Sequence, residues 1–409
     1  MNRIDELIKK LCPNGVEYKK ANEIKIESFW LMPSTPTYIA EGVPYITSKN
    51  IKNGKINFEN VNYISEKDYL SISSNRTIKK NDLLITMIGT IGETAFVEED
   101  IKFYGQNMYL IRLNEKVINR KFFNYYLTSE KIKNSLVSRK NTSSQGYIKA
   151  GSIENLLLPV PPLEVQCEIV HVLDYFTLLS AELSAELKAR KEQFNYYRDE
   201  LIKTAHGAKY KTLSEIATDM YRGTGIKRDE VTETGIPCVR YGEIYTTYNV
   251  LFDACASYTD EAKQKSKKYF EYGDVLFAIT GESVEEIGKS TVYIGKEKCL
   301  AGGDIVVMKH NENPKYIGYA LSTTEAQMQK SKGKIKSKVV HSSIPALKEI
   351  SIPIPSLKEQ ERIANIIENF DKICNDITSG LPAEIEARQK QYEYYRDKLL
   401  TFKELKVNE

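Results

Sequence analysis

Short apolar runs and long helical stripes alternate along this chain, and they alternate twice. NDLLITMIG (81–89) and GDVLFAITG (273–281) are compact apolar runs rich in β-branched residues, each opened by a turn signal, and they predict buried strands. Apolar spacing returns to three or four residues over 120–134 and 314–331, which predicts short helices there. Beyond each strand-rich segment the pattern lengthens. Leu173, Phe176, Leu179, Leu183, Leu187, Phe194, Tyr197 and Leu201 follow in steps of three, four and seven, and Ile363, Ile366, Phe370, Ile373, Tyr392, Tyr395 and Leu399 mark a second such stripe. A stripe of this kind belongs to a helix that packs on another helix. A helix of about forty residues is about 60 Å long, too long for the interior of one small domain. The two stripes are therefore expected to bury each other as an antiparallel pair.

The alternation is a duplication. QFNYYRDELI (193–202) returns as QYEYYRDKLL (391–400). LPVPPLEVQCEIVHVLDYF (158–176) matches IPIPSLKEQERIANIIENF (352–370) at an offset of 194. EGVPYITSKNI (41–51) matches TGIPCVRYGEI (234–244), and YKKANEI (18–24) matches YKTLSEI (210–216), at offsets of 193 and 192. Blocks in one order at nearly one offset make a tandem repeat of about 190 residues, far longer than a solenoid unit. Each unit is a strand-rich head and a helical tail.

Local signals set the boundaries. Prolines close the heads at 159, 161, 162, 353 and 355; Pro162 suits a first helical position, and Ser356 with Glu359 reads as a capping box. Gly380 and Pro382 should break the second rod, giving helical pieces over 357–378 and 382–403, while the first helix runs unbroken. The expected divisions are a head at 1–158, a spacer helix at 159–206, a second head at 207–352 and a second spacer helix at 353–409, broken near 379–382. The fold class is α+β with two pseudo-symmetric repeats.

Composition narrows the chemistry. At 409 residues, 41% hydrophobic and 28% charged, the chain reads as an ordinary globular protein of two or three domains. The net charge of +3 makes any electrostatic footprint local. The six cysteines form no CxxC pair and the four histidines are scattered, so no metal site is expected, and unpaired thiols suit the cytoplasm. No apolar run approaches the length that spans a bilayer. Asn313-Pro314-Lys315-Tyr316 departs from a methyltransferase NPP[YF] tetrapeptide at its third place and reads as a helix start. GESVEEIGKS (281–290) sets six residues between its glycines where a phosphate loop needs four, and reads as a turn between strands.

Two strand-rich heads alternating with two long helices resemble the specificity subunit of type I restriction–modification systems. The likeness rests on the doubled L-x-x-Q-x-x-I blocks closed by proline, the G-[VI]-P blocks and the [ND]-D-[LV]-L blocks, and it covers nearly the whole chain. It implies that each head is a target recognition domain reading half of a bipartite double-stranded DNA sequence. The paired helices then act as spacer and as dock for two modification subunits, which restriction subunits can join. No catalysis is expected of this chain; S-adenosylmethionine, ATP and magnesium would be bound by the partners. A two-module adaptor on a helical spacer, with no DNA target, is the rival reading.

On the DNA reading, base-edge and phosphate contacts are sought in the loops. In the first head the candidates are Lys49, Asn50, Arg139, Lys140, Asn141, Ser143, Gln145 and Lys149. In the second they are Arg222, Thr224, Lys227, Arg228 and Arg240, with a lysine comb over 330–338. Lys330, Lys332, Lys334, Lys336 and Lys338 would share one face of an extended strand. The heads differ most in these loops, so the target is expected to be asymmetric. Tyr197, Arg198 and Asp199, repeated as Tyr395, Arg396 and Asp397, are the candidate partner dock, or core and surface positions of the helix pair. SAELSAEL (180–187) doubles four residues inside the first helix and is the candidate ruler between half-sites.

Overall fold

The computed structural model describes residues 2–139, 146–264, 266–284, 286–331, 334–336, 339–375 and 380–405. The chain packs as two compact units, one formed by Met1–Ala181 with Glu386–Glu409, the other by Glu182–Ile385. The first unit therefore contains both chain ends. One unbroken helix, Leu163–Lys203, begins in the first unit and ends in the second, as the uninterrupted stripe predicts.

In the first unit, Lys25–Leu31, Met108–Leu113, Leu83–Thr86 and Thr94–Phe96 form an antiparallel sheet in that spatial order. The inner strands Met108–Leu113 and Leu83–Thr86 are buried on both faces, which explains their continuous apolar runs. Leu83, Ile85, Tyr109 and Ile111 point to a core shared with Phe122, Phe123, Val165, Ile169 and Leu173 of the helices. The alternate residues Leu84, Met108 and Leu110 point the other way, onto a small sheet of Asn62–Ile64, Val43–Ile46 and Tyr104–Gly105. Period-two alternation thus splits each run between two cores.

The second unit repeats this plan. Ala217–Arg222, Ile305–His310, Val275–Ala278 and Ser290–Tyr293 take the same order, with Leu251–Phe252 added at the edge. Val275, Phe277 and Met308 face the helical core; Leu276, Ala278 and Val307 face the second sheet. A strand pair closes each head in one register, Glu17 opposite Val160 and Lys209 opposite Ile354. Each unit also buries an acid against a cation of the neighbouring strand. Asp82 meets Arg112 at 2.7 Å, and Asp274 meets Lys309 at 3.2 Å. Burial raises both carboxyls above the usual range although the cations pull them down.

The tails pair within each unit. In the first, Phe176 of the long helix stacks on Tyr395 of the C-terminal helix Leu381–Leu399. In the second, Tyr197 stacks on Phe370 of the helix Leu357–Asn375. The partners run antiparallel, forming the expected coiled coil. The second rod is in two pieces, Leu357–Asn375 and Leu381–Leu399, with Pro382 in the first turn of the latter, where its missing N–H costs nothing. The last piece is shorter than the stripe predicts. The chain leaves the helix because Val16 captures it: Val16 N–H donates to the Lys403 carbonyl at 2.9 Å, and Leu405 N–H to the Val16 carbonyl at 2.8 Å.

Two capping expectations are met in modified form. Pro162 sits just before the long helix and accepts its first bonds from Val165 and Gln166. Ser356 Oγ accepts from Glu359 N–H at 3.4 Å, but the Glu359 carboxylate is held by Arg362 at 2.8 Å, so the reciprocal half of the box is not made. Asn313 caps Pro314–Leu321, its side chain accepting from Tyr316 N–H at 3.0 Å, as an ordinary helix start. The GESVEEIGKS segment joins strands Thr280–Gly281 and Ser290–Tyr293.

Candidate nucleic-acid interface

The G-[VI]-P strands lead into the same turn in both units, built from different side chains. In the first, Asn50 Oδ1 accepts from Thr47 N–H at 2.9 Å and its Nδ2 donates to the Asn57 carbonyl at 3.1 Å. In the second, buried Glu243 Oε2 accepts from Arg240 N–H at 2.9 Å, and its Oε1 accepts from the Arg240 guanidinium at 3.0 and 3.2 Å. Asn50 and Arg240 thus hold their own turns, while Lys49 beside Asn50 is exposed.

The YRGTGIKR loop lies against 301–304. Arg222 Nε donates to the Gly303 carbonyl at 2.6 Å and its guanidinium pairs with Asp304. A Cβ on Gly223 would meet the Gly302 carbonyl oxygen at 2.2 Å, so only glycine permits this approach. Thr224 Oγ1 donates to the Ser266 carbonyl at 2.8 Å. Lys227 and Arg228 are exposed at the head of a 3-10 turn.

Arg139 ends the helix Glu130–Ser138 and Lys149 precedes Ala150–Glu154; both are exposed. Lys140, Asn141, Ser143 and Gln145 lie outside the described residues, as do Lys332 and Lys338. Lys334 and Lys336 lie in an extended strand, Lys334–Lys336, paired with Val339–His341. Lys330 does not belong to the comb. It closes the helix Thr324–Lys330, is 4% exposed, and donates to the Leu321 carbonyl at 2.7 Å and Ser290 Oγ at 2.9 Å. Burial, with Arg198 adding a like charge, pushes its ammonium down to about 7.

The doubled YYRD phrase serves the packing of its own unit. Arg198 is buried; its Nε and Nη2 donate to Asp199 Oδ1 at 2.8 and 2.6 Å, and Nη1 donates to Asn195 at 2.9 Å. Asp199 Oδ2 accepts from Thr324 N–H at 3.1 Å, tying the long helix to the start of a head helix. Arg396 is also buried, donates to Asp397 at 3.1 Å and covers the Tyr392 ring at 5.5 Å. Tyr197 and Tyr395 stack on phenylalanines, whereas their neighbours Tyr196 and Tyr394 are 63% and 62% exposed.

The role of the repeated glutamine was not visible in the spacing. Gln166 is fully buried; its Nε2 donates to the Pro161 and Val117 carbonyls at 2.7 and 3.0 Å, and its Oε1 accepts from Asn119 N–H at 2.7 Å. Gln360 repeats this with the Pro355 carbonyl at 2.9 Å and Asn313 N–H at 2.9 Å. Each glutamine fastens the long-helix start to the cap of a head helix (Asn119 or Asn313). A second missed signal is RIDELIK (3–9), which echoes RDELIK (198–203); it forms the helix Asn2–Leu11, with Ile4 buried in the first core.

The comparisons with known proteins agree with this architecture. The sequence model described as "Type I restriction modification DNA specificity domain" matches residues 19–190 and again 207–387. The EcoR124I/EcoR124II specificity subunit of Escherichia coli is 36% identical over 251 residues, 60% of this chain and 61% of that protein. The match thus spans less than two thirds of that relative. A putative type I specificity subunit of Haemophilus influenzae is 29% identical over 315 residues, 74% of this chain and 77% of that protein. A chain solved in work on complex assembly and conformational transition of the type I R-M system superposes with a TM-score of 0.66 at 16% identity, over 95% of this chain and 98% of that one. That likeness concerns the fold. With the family's domain matched twice along most of its length, the chain belongs to the type I restriction–modification DNA specificity family.

Proposed function

We propose that this chain is the DNA-recognition subunit of a type I restriction–modification assembly, each unit reading one half of an asymmetric bipartite target. One observation carries the reading. The two units share the order of their central strands and the register of the closing strand pair but fill their loops with different chemistry. The same turn is closed by Asn50 in one unit and by the Arg240–Glu243 pair in the other. At one register position of the edge strand, the first unit has Trp30 opposite Tyr109 and the second has Arg222 opposite Val306. A duplicated scaffold with divergent loops fits two half-sites of different sequence.

On this reading the exposed Lys49, Arg139, Lys149, Lys227 and Arg228 reach DNA directly, while Asn50, Arg222, Thr224 and Arg240 shape the loops that do. Two modification subunits dock on the helical tails, and restriction subunits join them. The chain catalyses no step; S-adenosylmethionine, ATP and magnesium belong to the partners. Its tails offer exposed tyrosines, Tyr196 and Tyr394, at matching places, which suits two equivalent docks.

The test is methylome sequencing of a methylation-free host that expresses this chain with its modification subunit. A new adenine mark in a split, asymmetric motif is the expected result. An assembled, cofactor-supplied complex that leaves no mark would remove the reading, and two identical half-sites would remove the asymmetry.

A further inference from the structure

The second unit has a basic cleft beside the strands Ala217–Arg222, Tyr269–Phe270 and Ile305–His310. It measures about 430 Å³ and is lined by Tyr221, Lys267, Lys268, Tyr269, Lys298 and Lys309, with Asp219 and Glu271. The sheet assembles it. Tyr269–Phe270 pairs antiparallel with Cys299–Ala301, and the Ala301 N–H donates to the Lys268 carbonyl at 2.8 Å, so the lysines flanking these strands converge. Lys298 lies over the Tyr269 ring at 4.3 Å and Lys268 over the Tyr221 ring at 5.5 Å.

The four lysines are not equivalent. Lys309 is committed to Glu271 at 2.7 Å and Asp274 at 3.2 Å, and Lys267 pairs with Glu261 at 3.3 Å. Among the described residues, no carboxylate lies within ion-pair distance of Lys268 or Lys298, and both are exposed. The first unit shows the contrast. There Lys102 lies over the Tyr69 ring at 5.1 Å, as Lys298 lies over Tyr269, but its amine is taken by Glu66. In the second unit, Tyr269 Oη donates to Glu261 at 2.5 Å and Lys267 pairs with the same carboxylate, so Lys298 feels Glu261 and Glu271 only beyond ion-pair distance.

We propose that Lys268 and Lys298 form a phosphate-contact site of the second unit, gripping the DNA backbone beside the loop that carries Lys227 and Arg228. This rests on the DNA-recognition reading. Continuity supports the placement: Thr224 bonds Ser266, so the YRGTGIKR loop and the lysine segment abut. The rings beneath the amines help to position them for pairing with a phosphate. Such contacts carry no sequence information, so they add affinity without choosing bases.

The experiment uses the full chain assembled with its modification subunit and a duplex carrying the mapped target, with affinity measured across a salt series. Each phosphate contact contributes about 0.9 to the slope of log affinity against log salt. The Lys268→Gln/Lys298→Gln pair should make that slope shallower by about 2, while the methylated motif stays the same. The Lys268→Arg/Lys298→Arg pair should keep the slope. A wild-type slope in the glutamine pair would overturn the site, as would equal losses in both pairs. A wild-type assembly that ignores DNA at every salt concentration would instead remove the function reading beneath it.

Discussion

Phe176 stacks on Tyr395 with ring centroids 5.6 Å apart and planes 20° apart, joining the long helix to the C-terminal helix within the first unit. The repeat writes the same contact in the second unit with the roles exchanged, Phe370 on Tyr197 at 6.4 Å and 28°. Each phenylalanine ends a proline-closed block and each tyrosine belongs to a YYRD phrase. One pairing rule therefore accounts for both halves of the duplication. A double-mutant cycle of Phe176→Ala and Tyr395→Ala, read by urea denaturation, should give a coupling of about 0.5–1.5 kcal/mol. Tyr395→Phe should be nearly silent, because the ring makes the contact.

Gln166 and Gln360 give a sharper test, since in a buried place Gln166 joins three backbone groups and Gln360 joins two backbone groups and the Glu312 carboxylate. Gln166→Leu leaves the Asn119 N–H and the Pro161 and Val117 carbonyls without that partner. Each orphaned group costs about 1–3 kcal/mol. The expected outcome is a large loss of stability confined to the first unit, with Gln360→Leu doing the same to the second. Hydrogen exchange of the helices capped by Asn119 and Asn313 would locate the damage.

The duplication, the strands, the long helix and its broken counterpart were legible in the sequence because periodicity reports which way side chains point. What periodicity does not report is the distant partner. Leu83 and Leu84 read as one apolar run, yet they feed different cores. Gln166 reads as a motif letter, and its three partners lie up to 49 positions away. Lys330 reads as the first tooth of a comb, because its alternation with Lys332 continues unbroken in the sequence while the backbone changes from helix to strand. The candidate loop residues divide the same way: the exposed cations were legible, but which polar side chains the loops use to hold themselves was not.

Lys330 makes the stability of the second unit depend on pH. Its folded value near 7 lies below the ordinary lysine value of about 10.4, so between them the unfolded chain binds a proton that the folded chain does not. Stability should rise with pH across that window, by up to about 1.4 kcal/mol per unit, and the gain is lost as pH falls towards 7. The first unit buries Leu136 in the matching helix turn. Lys330→Leu should therefore fold, raise the urea midpoint most near pH 7, and remove this contribution to the slope. Parallel pH profiles of wild type and variant would sink the assignment.

SAELSAEL occupies 180–187, and the border between the compact units falls inside it, after Ala181. The segment is helical throughout and most of its side chains are exposed, so removing four residues takes little from either core. Deleting Ser184–Leu187 shortens the helix by about 6 Å and rotates its C-terminal part by about 40°. On B-DNA that length corresponds to one to two base pairs, at about 3.4 Å each. The recognition loops lie outside the deleted segment, so both half-sites should keep their bases. The methylated motif should therefore reappear with its halves one to two base pairs closer together. The same motif at its original spacing would show that the helix does not measure the gap. A change in either half-site would show that the deletion reaches the heads.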